Sequence, residues 1–427
     1  MMKIYDLSEV PEEEIFHRQE ASDDVSAPVA ENLRAVQERG DEALFSYARK
    51  FDGAELSNLE VTPEEIAEGA AQVEPEFTDI LREAAERIRA FHVKQKREGF
   101  LMTERDGVIL GQKITPLARV GIYVPGGTAA YPSTVFMNAI PAHIAGVGEI
   151  VMATPPGRDG KIRPAILAAA KLAGVTRIFK MGGAQAVAAL AFGTQSVPKV
   201  DKIVGPGNAY VAEAKRQVFG RVNIDMIAGP SEVLVIADET SNPAWVAADL
   251  LSQAEHDKMA SAVLVTDSQA LAEAVAQKVE EQLRALEREE IARASIERNG
   301  KIIVARSLTE AVAVANRIAP EHLELSVDNP FDYLGQIEHA GSIFLGRYNP
   351  EPMGDYFAGP NHTLPTMGTA RFYSPLSVDD FIKKSQFSYY TREALRQDYQ
   401  KVSRFAMEEG LTAHARAVNI RFEEGEA

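Results

Sequence analysis

The sequence predicts an α/β protein with two doubly wound parallel-sheet units, a helical N-terminal region and a small helical C-terminal tail. Three observations carry this. From about residue 118, short β-branched runs alternate with alanine-rich helical runs, as in βα repeats with helices on both faces of a sheet. The alternation comes in two successive sets. And 427 residues exceed what one ordinary core accommodates.

The elements follow in order. MMKIYDLSEVPEEEIF is acidic and has no apolar stretch, so it reads as an N-terminal arm and not as a signal peptide. APVAENLRAVQERGDEALFSYARKF places apolar residues at helical spacing behind Pro28, and EPEFTDILREAAERIRAFHVKQKR is a longer amphipathic helix. The first βα set pairs RVGIYV with STVFMNAIPAHIAG, EIVMAT with RPAILAAAKLAG, RIFKMG with AQAVAALAFG, and DKIVG with NAYVAEAKRQVFG. The second starts at EVLVIAD with a helix to Glu255. SAVLVTD and one long charged helix follow, then KIIVA with SLTEAVAVANRI, then GSIFLG. A loop-rich stretch, RYNPEPMGDYFAGPNHTLPTMGTARFYSPL, precedes a polar helical tail from about Val378, which carries too little apolar surface for a core of its own. The expected division is an arm (1–24), a first α/β domain (25–104 with 232–376) bearing most site residues, a connecting segment (105–121), a second α/β domain (122–231) and the tail (377–427). Both sheets read as incomplete Rossmann-like units.

Composition narrows the function. A net charge of −17 argues against binding a phosphate backbone, which needs a basic footprint. No apolar run approaches the ~18–20 residues that cross a bilayer. A cytoplasmic protein that takes small ligands is expected, without nucleic-acid or membrane partners. The absence of cysteine excludes thiolate metal sites and thiol nucleophiles.

Three glycine clusters each follow a strand and open a helix: VPGGTAAYPS (124–133), MGGAQA (181–186) and GPGNAY (205–210). Backbone N–H groups at such turns can bind anions, and ligands of open α/β sheets sit at the strands' carboxyl ends. A complete G-x-G-x-x-G is absent, so each cluster alone is also a plain βα turn. Among eight histidines, His17, His92, His143 and His339 have structural contexts. His256 (SQAEHD), His322 (PEHLEL), His362 (GPNHT) and His414 (EGLTAHA) each stand near carboxylates. Glu321 and His322 are read as a loop after a helix. Gln253 and His256 share one helix face, and with Asp355 and a further histidine they form an N/O donor set suited to Zn²⁺, Mn²⁺ or Co²⁺.

Taken together, YVPGGTAAYPSTVFMNAIPAHIAG, GGAQAVAALAFGT, VDKIVGPGNAYVAEAKRQVFG, IDMIAGPSEVLVIAD, DLLSQAEHD, PEHLEL and GDYFAGPNHTLPTMGTARFYSPLSV resemble the histidinol dehydrogenase family, in order, from about residue 25 into the tail. The resemblance implies oxidation of L-histidinol to L-histidine with two NAD⁺, the last step of histidine biosynthesis. It implies one Zn²⁺ per subunit on Gln253, His256, Asp355 and His414, with His414 drawn from the partner of a swapped homodimer. It implies Glu321 and His322 as the acid–base pair, and Ser231, His362 and Glu409 as further substrate contacts beside His322 and the metal ligands. Tyr123, Gln185 and Asn208 match the family's NAD contacts.

The chemistry asks for such residues. Alcohol to acid is a four-electron oxidation, hence two hydride transfers, the first of which needs a base; His322 suits that. Without a cysteine, the aldehyde must add water to become oxidisable, and Glu321 is the second base. Two other readings stand beside this one: a dehydrogenase of the same fold acting on another polar alcohol, and a non-catalytic metal- and nucleotide-binding protein.

Overall fold

The computed structural model describes residues 2–16, 18, 24–126 and 131–423. These form two compact units, residues 1–96 with 117–381, and residues 97–116 with 382–427.

The larger unit holds two all-parallel sheets. One has six strands in the order Lys3–Asp6, Lys301–Val304, Ser261–Thr266, Glu232–Ala237, His322–Ser326, Ser342–Leu345. The other has five: Arg177–Lys180, Glu149–Thr154, Arg119–Tyr123, Lys202–Val204, Asn223–Ile224. Each sheet is covered on both faces by apolar clusters, so its central strands are buried throughout, as parallel strands between helices must be. The two doubly wound units are therefore present. The alanine-rich helices let backbones approach closely: Pro164–Ala173 and Gly183–Phe192 are buried along most of their lengths.

Several elements differ from the sequence reading. The arm contributes a strand, Lys3–Asp6, paired with Lys301–Val304. The N-terminal helices pack on the five-stranded sheet's layer and not on the 232–345 sheet. Ser26–Arg39 lies on Gly183–Phe192 and Ala209–Val218, Pro63–Ala71 on Pro164–Ala173, and Pro75–His92 on Pro132–Ala145. The expected grouping of 25–104 with 232–376 thus differs from the packing, because amphipathic helices carry no sequence mark of which sheet they cover. The long charged helix is two, Gln269–Leu283 and Glu289–Asn299.

The smaller unit is not wholly helical. Ile382–Tyr390 is a nine-residue strand, antiparallel to Val108–Pro116, which also pairs with Phe100–Met102. Helices Arg392–Glu408 and Thr412–Asn419 follow. Among the described residues, no helix is long and apolar enough to cross a membrane.

Candidate active site

The site begins at Glu232, the first residue of strand Glu232–Ala237. Its backbone N–H donates to Glu321 Oε2 at 2.9 Å, and its carbonyl oxygen lies 2.9 Å from His322 Nδ1. One residue's main chain therefore orients both members of the PEH pair. Against a carbonyl, Nδ1 must carry the proton, which leaves the Nε2 lone pair available. That Nε2 is buried and makes no hydrogen bond among the described residues, with Glu351 Oε1 3.9 Å away. His322 is not in a loop: it opens strand His322–Ser326, between Glu232–Ala237 and Ser342–Leu345. Ser231 lies immediately before Glu232.

The same strand places the next group. Glu324, buried, accepts the Glu351 N–H at 2.7 Å, fixing the start of the short helix Glu351–Tyr356. One turn on, Asp355 comes back toward His322. Donor atoms of His322, Glu351 and Asp355 lie within 4.8 Å of one another. Asp355 Oδ1 is 3.4 Å from His362 Nδ1, and Thr134 Oγ1 is 3.4 Å from His362 Nε2. On the helix Pro243–Ala254, Ser252 Oγ lies 3.4 Å from Glu351 Oε2, beside the buried Gln253. His256 falls just past the helix end, its N–H on the Gln253 carbonyl at 3.2 Å, and its charge acts on His322.

Burial sets the electrostatics. It pushes Glu321 well above the usual carboxylate range, and the carboxylates of Glu232, Asp355 and Glu351 add to this. It pushes His322 below its ordinary value, against the pull of Asp355. Asp355 and Glu351 face each other, with donor atoms within 4.8 Å, and each shifts the other. Burial and Asp355 lift Glu351 to about 9, whereas the His362 and His322 imidazoles overcome burial and hold Asp355 low.

Three buried atoms here make no hydrogen bond among the described residues: Gln253 Oε1, His322 Nε2 and Glu351 Oε1, the last two 3.9 Å apart. Buried polar atoms without partners are uncommon. Oxygen and imidazole donors of this kind, with no thiolate, fit a hard or borderline divalent cation. Glu351 went unread in the sequence, although it stands one helical turn before Asp355. Glu409 and His414 lie elsewhere, exposed on the smaller unit, at the end of Arg392–Glu408 and on Thr412–Asn419.

The three remaining residues do come together. Tyr123, Gln185 and Asn208 line one cavity of about 1210 Å³ at the carboxyl ends of the five-stranded sheet. The Tyr123 hydroxyl accepts the Gly183 N–H at 3.1 Å, and burial raises its pKa to about 12. Asn208 caps its helix through Oδ1, bound by the Tyr210 and Val211 N–H groups. The GPGN turn is pinned from below: Gly205 N–H donates to Asp225 Oδ2 at 2.8 Å, Lys215 Nζ donates to the Gly205 carbonyl at 3.1 Å, and Lys215 and Asp225 form a fully buried ion pair. Of the first glycine cluster, residues 127–130 lie outside the described residues, as does His17.

A family model for histidinol dehydrogenase matches residues 16–422. The chain belongs to that family. Histidinol dehydrogenase of Bacillus cereus is 58% identical over 400 residues, covering 94% of this chain and 93% of its own. That of Listeria monocytogenes is 57% identical over the same length and shares. The crystal structure of histidinol dehydrogenase from Elizabethkingia anophelis superposes with a TM-score of 0.93 at 41% identity, over 98% of each chain. The family's fold and this chain's fold are thus the same across both sheets.

Proposed function

We propose that this chain oxidises L-histidinol to L-histidine, with Glu321 and His322 as its acid–base pair. The observation that carries the assignment is their shared anchoring: both are buried and both are oriented by the Glu232 main chain.

His322 Nε2 takes the alcohol proton in the first oxidation. Glu321 then takes a proton from the water that adds to the aldehyde, and a carboxyl lifted by burial is a stronger base once ionised. His322 deprotonates the resulting hydrate for the second oxidation. NAD⁺, in the cavity lined by Tyr123, Gln185 and Asn208, would accept the hydride each time. With Asn208 Oδ1 committed to its cap, its amide nitrogen is the atom offered to a ligand. Gln253, His256 and Asp355 would hold a Zn²⁺ ion, joined by His414 of the partner subunit in a homodimer. The unpartnered Gln253 oxygen supports this. The ion would supply a fixed point for the substrate's imidazole and amino nitrogens. Ser231, His362 and Glu409 would complete the substrate's surroundings. A biosynthetic role fits a cytoplasmic location.

Stoichiometry tests the reading. Purified, metal-loaded protein should release two NADH per histidine formed from L-histidinol. One NADH with accumulation of the aldehyde would defeat the four-electron assignment, and preference for another alcohol in a substrate panel would defeat the substrate.

A further inference from the structure

The large cavity contains a carboxylate oxygen that no group among the described residues answers. Asp52 ends the helical stretch Ala48–Asp52, just before Gly53, whose φ of 65° turns the chain. It lines the same cavity as Tyr123, Gln185 and Asn208. Its Oδ2 is buried and accepts no hydrogen bond. Lys50, Arg158 and Arg163 also line the cavity, yet none offsets the cost of burying this carboxyl, which rises to about 6 through burial alone.

Asp52 is half-buried, but its Oδ2 is shut away from water, and such an oxygen ordinarily meets a donor. Here the open side is a ligand cavity, so the missing donors belong to the ligand. A dinucleotide offers two kinds of polar group to such a wall. Its phosphates are repelled by an uncompensated carboxylate; its ribose hydroxyls donate to one. An acid on the ribose 2′-hydroxyl is how dinucleotide folds distinguish NAD from NADP, usually from a position about 20 residues after the glycine turn. Asp52 precedes all three glycine turns in sequence, so no such spacing points to it.

The two riboses can be told apart. Asp52 lines the cavity beside Lys50, Phe51 and Tyr123, and none of Glu321, His322, Glu351 or Asp355 is among the described residues that form its walls. It therefore stands away from the acid–base cluster, where the nicotinamide must meet the substrate. We propose that Asp52 accepts hydrogen bonds from the adenosine ribose hydroxyls and thereby selects NAD⁺ over NADP⁺. This rests on reading the cavity as the NAD site. The competing account is a helix-end carboxylate that binds only water.

Dissociation constants of NAD⁺, its 2′-deoxyadenosine analogue and NADP⁺ would be measured on metal-loaded, full-length wild type, Asp52→Asn and Gln185→Ala. Wild type should bind NAD⁺ about ten- to a hundredfold more tightly than the 2′-deoxy analogue, the usual range for a hydrogen bond to a charged group, and NADP⁺ more weakly still. Asp52→Asn should shrink the first ratio several-fold and bring NADP⁺ closer to NAD⁺. Equal wild-type affinity for NAD⁺ and the 2′-deoxy analogue overturns the proposal with no variant needed. If Gln185→Ala weakens NAD⁺ while Asp52→Asn leaves both ratios unchanged, the Asp52 assignment falls and the cavity reading survives. If neither variant changes NAD⁺ affinity, the cavity reading itself falls.

Discussion

Two contacting carboxyls, Glu351 and Asp355, cannot both ionise in a buried site, and the imidazoles of His362 and His322 decide that Asp355 keeps the charge. That leaves His322 facing an anion on one side and a protonated acid on the other. His322→Asn should slow alcohol and aldehyde oxidation alike, by about 10²–10⁴, while metal analysis shows the ion retained. Glu321→Gln should slow mainly aldehyde oxidation, seen by supplying histidinal directly; equal slowing of alcohol oxidation would count against the split. The base form of His322 persists below its ordinary 6.5 because its pKa is lowered. The acid limb of kcat/KM should therefore fall below pH 6.5 and be missing in His322→Asn. Asp52 gives a stability test of opposite sign. Its carboxyl is raised from 3.8 to about 6, so its contribution is full below pH 3.8 and lost as pH rises through 6. At pH 8 without nucleotide, Asp52→Asn should be more stable than wild type by about 1 kcal/mol, discounted for partial exposure, and the gap should vanish at pH 3.5. Gln253, His256, His322 and Asp355 were legible as residues because each sits in a dense polar motif. Glu351 and Asp52 were not. Glu351 takes its meaning from standing against His322 and Asp355, and Asp52 from an oxygen without a donor, and a sequence shows neither.

At the scale of elements, the GPGN turn depends on its buried ion pair. Lys215→Met leaves Asp225 buried without a counter-charge, which should cost about 3–5 kcal/mol in urea unfolding. Adding Asp225→Leu should restore part of that loss, since the uncompensated charge disappears. Gly205 tolerates no side chain: its φ is 112°, and an added Cβ would stand 2.2 Å from the Tyr123 carbonyl oxygen. Most strands of both sheets were readable from uninterrupted β-branched runs. HLELS escaped because the strand buries polar residues, His322 and Glu324, where a parallel strand ordinarily shows only apolar ones. Ile382–Tyr390 escaped for a different reason. It is mostly exposed and polar, and its partner strand Val108–Pro116 lies more than 250 residues earlier, beyond any local pattern.

The whole molecule raises a question of subunits. Glu409 and His414 sit on the smaller unit, while the other proposed ligands sit on the larger. If the partner supplies them, as the family resemblance implies, inactive subunits should complement. His414→Asn and His322→Asn, each inactive alone, should regain about a quarter of wild-type activity when mixed through dissociation and reassociation. Half the dimers would be mixed, and one site in each would be intact. No regain would mean that each chain completes its own site. The two-sheet plan was legible in the repeat of βα units. The assignment of the N-terminal helices to the five-stranded sheet was not, because an amphipathic face records that it is covered and not by what.

The grip of Glu232 on the acid–base pair has an evolutionary side. Both bonds come from its peptide groups, which every non-proline residue possesses. Substitution at that position would break the Arg18–Glu232 ion pair, yet any non-proline replacement still carries the same donor and acceptor groups. The proton-transfer geometry is thereby insulated from mutational drift, and a lineage could retune the surrounding pocket for a new alcohol without rebuilding the catalytic pair.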